Sequence, residues 1–415
     1  MSVDERLERR SASYALTILT FINLFNYLDR WVVSSVAELI KPELRLSDTQ
    51  LGFVATGFVI VYMLTSPVFG SLGDRKKRPP LIALGVAIWS VATALAGFAR
   101  GFVSLFSLRA LVGVGEAAYG TIAPALLSDH FPRTRRGRVF SIFFAAIPIG
   151  SAAGYILGGV VGKHYGWRAA FWLAGAPGIV LALLVLAVRE VPRGQNDEVV
   201  EKVVVEGPWY AAYTDLLRNS PFILAVLGYA AYTFALGGLA FWMPAFLERV
   251  RKMPHDEATV TFGEIALVAG FVGTFGGGWI GDFFLKYTKQ SYLWVSGVAT
   301  LLAAPAAYLA LRHPDRSVYL PAVFIAEILI FASTGPINSA IVNAVSPGDR
   351  ATAVGFSIFV MHLFGDVPSP PVIGYLSDVS SLARAILIVP IAIVLAALIW
   401  LAAAWRGQRC DAVHA

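Results

Sequence analysis

Long apolar runs separated by short charged or glycine-rich turns recur along the whole chain. A helical bilayer crossing takes about 20 apolar residues, whereas a barrel strand takes about half that and alternates. The pattern therefore predicts twelve helical spans, at residues 14–36, 50–72, 80–99, 103–127, 138–162, 167–189, 221–246, 259–284, 290–311, 317–344, 351–376 and 382–405. One span breaks its own pattern. The first carries Asn23, Asn26, Tyr27, Asp29 and Arg30 at membrane depth. Asn23, Tyr27 and Arg30 fall at i, i+4 and i+7, on one face of a helix, and Asn26 and Asp29 widen that face into a polar stripe. Ionisable residues at such depth face protein or a cavity, and they mark function by default.

Composition supports this pattern and removes several other classes. Of 415 residues, 57% are hydrophobic and only 14% charged, with 38 glycines, so few residues remain for a soluble domain. The single cysteine, Cys410, leaves no intrachain disulfide or cysteine metal site, and the six histidines show no zinc-enzyme spacing. No phosphate-cradling GxxxxGK[ST] string occurs, so nucleotide drive is not expected. The formal charge of +6 resides in short turns between spans, which argues against a nucleic-acid partner. Lys and Arg on the side holding both termini outnumber those on the other by roughly two to one, which predicts both termini in the cytoplasm. Arg75-Lys-Lys-Arg78 and the run from Arg133 to Arg138 supply most of this bias. Residues 1–13 form a charged tail without a cleavable leader pattern, so the first span is expected to be the targeting signal, directing the chain to the inner membrane.

The longest connection, residues 191–220, contains Pro192, Gly194 and a mixed-charge run from Asp197 to Glu206. It divides a six-helix half at 14–190 from another at 221–405, and 406–415 form a C-terminal tail. Trp209 to Leu217 reads either as a short interfacial amphipathic helix or as plain linker. The halves echo one another. Gly70-Ser-Leu-Gly-Asp74 ends the second span and Gly278-Trp-Ile-Gly-Asp282 the eighth. Pro132, Arg135, Val139 and Ser141-Ile-Phe143 are matched, with one residue of slip, by Pro347, Arg350, Val354 and Ser357-Ile-Phe359. Repeats of this kind are the mark of transporters that rock two bundles about a midplane site.

Gly70-Ser-Leu-Gly-Asp-Arg-Lys-Lys-Arg78 resembles the GxLxDRxGRK loop of the major facilitator superfamily, with Lys77 at the second glycine. The resemblance implies an all-α membrane protein of twelve helices in two pseudo-symmetric six-helix bundles. It also implies a gating role for Gly70, Asp74, Arg75 and Arg78, with Gly278 and Asp282 as counterparts. Glycines permit close helix approach, and an acid near a helix start favours that end. The basic cluster is expected to pair with Asp74 and with acidic lipid. Asn26-Tyr-Leu-Asp-Arg30, Ser66-Pro-Val-Phe-Gly-Ser-Leu-Gly-Asp-Arg75, the RxxxGxGE string from Arg109 to Glu116, and Ile147-Pro-Ile-Gly-Ser-Ala-Ala-Gly-Tyr-Ile156 are together similar to the spinster branch. That branch implies export of an amphipathic anion, a lysolipid or sphingoid phosphate. The first and third strings are also similar to symporters of sugar acids, which leaves a small sugar acid or organic phosphate as the alternative cargo. Tyr155 stands where drug antiporters of the GPxxGG type carry proline, which argues against multidrug antiport.

Arg109 and Glu116 lie seven residues apart, on nearly one face of the fourth span, with Tyr119 three further on. Two acids and two arginines form a neutral set whose charge changes when one acid is protonated. They read either as structural salt bridges or as the coupling machinery of a proton-driven carrier. In the second reading Asp29 and Glu116 handle the proton. Arg30 and Arg109 greet the anion with planar forks suited to phosphate or carboxylate, and Asn23, Tyr27 and Tyr119 extend the polar face. Tyr155 either offers its hydroxyl to the cavity or packs in the bundle. His362, one turn before Asp366, either meets the headgroup or is a satisfied core histidine; Pro368, Pro370 and Pro371 should break that helix. Glu327 is a further intramembrane acid, and Asn338 and Asn343 either line a cavity or bridge helices. The expected protein is a monomeric secondary transporter without cofactor, driven by a proton gradient. A membrane enzyme would need a nucleophile and base or a metal cluster on facing helices, and a receptor would need a signalling domain; the sequence offers neither.

Overall fold

The computed structural model describes residues 3–192, 211–345 and 350–413. These residues are helical throughout, with no strand among them. In chain order the helices are α1 (Val3–Ser35), α2 (Ala37–Leu44), α3 (Asp48–Arg75), α4 (Arg78–Ala96), α5 (Phe102–His130), α6 (Arg133–Tyr165) and α7 (Trp167–Val185). After the connection come α8 (Ala211–Arg218), α9 (Ser220–Arg249), α10 (His255–Phe284), α11 (Ser291–Arg312), α12 (Arg316–Phe331) and α13 (Thr334–Asn343). The chain ends with α14 (Arg350–Met361), a π-helical turn at His362–Asp366, α15 (Ser369–Val379), α16 (Leu382–Ala385) and α17 (Ile388–Val413). The run from Asp197 to Glu206, Trp209 and Pro347 lie outside the described residues.

Among the described residues, eleven helical segments are long and apolar enough to cross a bilayer. The first span is not one of them. At 33 residues α1 has ample length, but Asn23, Asn26, Asp29 and Arg30 dilute its apolar character. The tenth predicted span divides at Ala332–Ser333 into α12 and α13, and the eleventh contains the π-turn. The helix is interrupted at the prolines, as expected: Val367 and Pro368 form a turn after the π-turn, and a separate helix, α15, starts at Ser369 with Pro370 at one of its first positions, where its missing N–H costs nothing.

Local chemistry sets the other boundaries. Ser47 and Gln50 form a reciprocal capping box that starts α3, at 3.0 and 3.1 Å. Asn219 accepts from the Phe222 N–H at 3.0 Å to start α9. Gly166, at φ 82°, makes the turn from α6 to α7. The short α2 is pinned to the start of α7: the Trp167 indole donates to Glu43 at 2.6 Å, and Arg168 pairs with the same carboxylate. These contacts, the indole bond foremost, hold the Glu43 carboxyl below its ordinary range.

The chain forms two compact units, one of Met1–Glu201 with Met253–Gly263 and one of Lys202–Lys252 with Glu264–Ala415. In the first, α1 packs along α6, and α5 lies between α3 and α4. Glycine makes these approaches possible. A Cβ on Gly113 would strike the Phe58 backbone, and one on Gly154 the Leu28 carbonyl. In the second, buried indoles anchor the helices to backbone: Trp242 donates to the Pro370 carbonyl and Trp400 to that of Ala225, both at 3.0 Å.

Candidate functional site

The polar stripe of α1 turns inward, against α5, in the first unit. Asp29 is 1% exposed, Glu116 1% and Arg109 0%, whereas the Arg30 side chain keeps 23% exposure. The pairing is crossed. Arg30 donates through Nη2 to Glu116 Oε2 at 2.6 Å, and Arg109 through Nη1 to Asp29 Oδ1 at 3.1 Å. Neither the adjacent Asp29 and Arg30 nor the helix mates Arg109 and Glu116 bridge one another. The reason is geometric: neighbouring residues on a helix point about 100° apart, and seven residues advance about 10 Å along the axis. Each acid thus meets its arginine on the other helix.

Two further residues complete the set, and sequence reasoning did not single them out. Thr93 of α4 donates to Asp29 Oδ2 at 2.6 Å, so both oxygens of that buried carboxylate are held. Phe58 of α3 lies under both arginines, with the Arg30 guanidinium 4.9 Å and that of Arg109 5.6 Å from its ring centre. Tyr27 takes Arg30 on its ring as well, at 4.7 Å. Aromatic faces attract cations and restrict where the forks can point. A buried hydroxyl in an apolar span was a legible hint at Thr93. Phe58 left no such hint, being one more aromatic in an apolar run.

The remaining α1 and α5 candidates bind backbone. Asn23 donates to the Phe143 carbonyl at 2.9 Å and Tyr119 to that of Leu19 at 2.6 Å. Both fix how α1 seats on its neighbours. Tyr155 packs as an aromatic, 2% exposed, stacked on Trp31 at 5.5 Å and edge-on to Phe262 at 5.1 Å. His362 lies in the second unit, where its Nδ1 is 2.9 and 3.0 Å from the two oxygens of Asp366, across the π-turn. Such turns often mark functional positions. Glu327 is buried on α12, Asn338 donates to the Thr334 carbonyl at 2.8 Å, and Asn343 is exposed.

The crossed pairs leave capacity unused. Arg109 Nε and Nη2, Arg30 Nε and Glu116 Oε1 are buried without a hydrogen-bond partner among the described residues. Buried polar groups ordinarily find partners, so a site with several open donors beside a part-exposed guanidinium is suited to receiving an anion.

The corner between α3 and α4 is a second polar centre. Arg78, 3% exposed, donates to Asp129 at 2.5 Å, to Glu190 at 2.7 Å and to the Val191 carbonyl at 2.7 Å. Glu190 also accepts from the Arg78 backbone N–H at 2.7 Å, placing an anion at the start of α4. Asp74 was the acid expected there. It is instead exposed and makes no ion pair among the described residues, because Arg78 turns inward to the last turn of α5. Gly70, Gly73, Asp74, Arg78 and Asp129 line a cavity of about 150 Å³. In the second unit a Cβ added at Gly278 would meet nothing within 4 Å, and Asp282 accepts from the Tyr292 hydroxyl at 2.8 Å.

With this geometry in hand, comparison with known proteins is informative. The model of the Major Facilitator Superfamily matches residues 19–367. Protein spinster homolog 1 of Xenopus tropicalis is 35% identical over 378 residues, spanning 87% of this chain and 72% of its own length. The human protein of the same name is 36% identical over 382 residues, spanning 88% and 72%. A solved structure described as a bacterial homolog to the human lysosomal transporter Spinster, inward-facing and unoccupied, superposes with a TM-score of 0.88 at 26% identity, covering 97% of this chain and 98% of that one.

Proposed function

Because this chain belongs to the major facilitator superfamily, in its spinster branch, and is thus a multi-pass membrane transporter, we propose that it couples a proton gradient to movement of an amphipathic organic anion. The cargo class is a lysolipid or sphingoid phosphate, and the route is alternating access between two six-helix bundles. In this reading α1 is the twelfth crossing, long enough at 33 residues and polar where it must be. The basic excess on one set of loops supports cytoplasmic termini in an inner membrane, and the working state in this reading is a monomer.

One observation carries the proposal: the bridge from Arg30 to Glu116 joins the most exposed cation of the site to a buried acid at 2.6 Å. An anionic headgroup reaching Arg30 competes with Glu116 for the same fork. Glu116 then takes a proton, since leaving it charged and unpaired in that setting would cost several kcal/mol. Anion and proton therefore enter together. Arg109 acts as a positioning residue, holding Asp29 with Thr93 and keeping a second protonatable carboxylate within the same network. The corners carrying Gly70, Asp74, Arg75 and Arg78, and Gly278 and Asp282, are assigned to closing the cytoplasmic side. Their repeated placement at the ends of α3 and α10 supports this.

The test is titration of a chain-length series of lysolipids and of tail-less sugar acids against purified wild type, Arg30→Lys and Glu116→Gln, with transport followed in vesicles. Arg30→Lys keeps the charge but loses the planar fork, so anion affinity should fall about ten- to a hundredfold. Glu116→Gln should bind the anion yet lose its response to a pH gradient. A wild-type pH response in both Glu116→Gln and Asp29→Asn would remove the acids from coupling. Equal affinity for tailed and tail-less anions would replace the lipid reading with the sugar-acid one.

A further inference from the structure

Helix α10 has two faces of opposite character in the second unit. Gly273 and Gly277 lie on one, where an added Cβ would strike the backbone of α12 near Ile328 and Ala332. The other carries Phe271, Phe275, Trp279 and Phe283 at every fourth position, and Tyr287 continues the spacing in the turn that follows the helix. Spacing of four keeps neighbours in contact while the stripe winds slowly round the helix. Phe271 and Phe275 stack at 6.1 Å with their planes 3° apart. Trp279, Phe283 and Tyr287 form a second group with ring centres 6.0 and 6.1 Å apart.

All but the part-buried Phe271 are exposed: Phe275 is 70%, Trp279 71% and Tyr287 68% accessible. Exposure is ordinary for a membrane helix, but the exposed apolar positions of α11 and α17 are mostly aliphatic, with Tyr308 and Trp405 the aromatic ones. On α11 the exposed apolar positions include Val298, Leu301, Leu302 and Leu309, and on α17 Ile391, Leu395 and Leu398. Aliphatic chains of this kind present a soft surface to fluid lipid. A ladder of rings presents a stiff one, with few rotamers to freeze when something settles on it.

Cations gather at the foot of the ladder. Lys286 Nζ lies 3.6 Å from the Phe283 ring centre and 4.9 Å from that of Tyr287, and Lys289 is exposed one turn on. Helix α17 brings Arg406 to the same end, since Gly407 packs against the Gln290 carboxamide. Asp282, four residues before Lys286, is engaged by the Tyr292 hydroxyl. Phe271 to Phe283 spans about 18 Å of helix, close to the depth of one leaflet's hydrocarbon. Basic side chains beside interfacial aromatics are suited to a phosphate headgroup at that depth.

We propose that the aromatic face of α10, with Lys286, Lys289 and Arg406 at its foot, is a docking site for an anionic phospholipid of the bilayer, held as a stationary partner and not carried. The phosphate sits among the cations and one acyl chain lies along the rings. The site shares no residue with the Arg30 and Glu116 centre and stands whether or not that centre carries lysolipids.

The experiment uses the full chain in nanodiscs of phosphatidylcholine and phosphatidylglycerol at equal amounts, released into the gas phase for native mass spectrometry. Wild type should retain phosphatidylglycerol over phosphatidylcholine by about tenfold, given two to three favourable cation contacts. Lys286→Gln with Lys289→Gln, both on exposed positions, should bring the two lipids to near parity. Trp279→Leu with Phe283→Leu should weaken retention of both alike and keep the preference. A photoreactive phosphatidylglycerol with its probe in the acyl chain should label the peptide 271–287 in wild type and lose that label in the aromatic variant. An undiminished preference in the lysine variant, or labelling confined to other helices, overturns the proposal.

Discussion

At the end of α3, Gly73 lies so close to α5 that a Cβ would sit 2.8 Å from Ile122; at the end of α10, Gly281 meets Tyr292 of α11 at 3.0 Å. One turn earlier in each helix, Gly70 and Gly278 have open space. The repeated Gly-x-x-Gly-Asp string thus has one tight and one open glycine in both places. What is built on that backbone differs. The first corner receives Asp129 from α5 and Glu190 from beyond α7, and together they bury Arg78. At the second corner the nearest cation, Lys286, rests exposed on an aromatic ring. The same short string carries the same glycine packing in both places, while residues remote in the chain made the first corner an electrostatic clasp and neighbouring rings made the second an aromatic surface.

The largest expected contrast is between the cations. Arg78→Gln takes the buried guanidinium away from Asp129 and Glu190 and should lower stability by about 3–5 kcal/mol, whereas Lys286→Gln gives up an exposed cation–π contact of about 0.5–1 kcal/mol. Thermal unfolding of the two variants in the same detergent measures the gap. Melting points within a degree or two of each other would mean that the clasp adds nothing to the fold.

A smaller contrast concerns the glycines. Gly73→Ala must displace Ile122 and should cost about 1–3 kcal/mol, with Gly281→Ala costing less because its contact with the Tyr292 ring is looser. Gly70→Ala and Gly278→Ala fill open space in helix and should stabilise by up to about 1 kcal/mol. The same unfolding assay reads all four, and destabilisation by either outer alanine would show that those positions meet something the single structure does not contain.

The smallest contrast separates the two acids. Asp282→Asn weakens the bond from Tyr292 and should cost about 0.5 kcal/mol, while Asp74→Asn, exposed and without an ion pair among the described residues, should leave stability unchanged. If Asp74 serves the gate, its variant will instead change turnover in vesicles. Wild-type turnover together with wild-type stability would leave the loop as a topology signal alone.

Apolar run length and period placed most of the helices, because they are local patterns that survive without any knowledge of contacts. The polar stripe on α1 was legible for the same reason: asparagine, aspartate and arginine on one face of a span have nowhere to go but inward. The pairing was not. Arg30 and Glu116 are 86 residues apart and Asp29 and Arg109 80, and the sequence order of each helix suggested the wrong mates. Thr93 and Phe58 entered the site only because α3 and α4 pack beside α5, and Glu190 reached α4 only because the chain returns there after α7. A helix face can be read from its own residues, but which other face it meets depends on packing summed over the whole bundle, so the tertiary structure alone decided which acid holds which base.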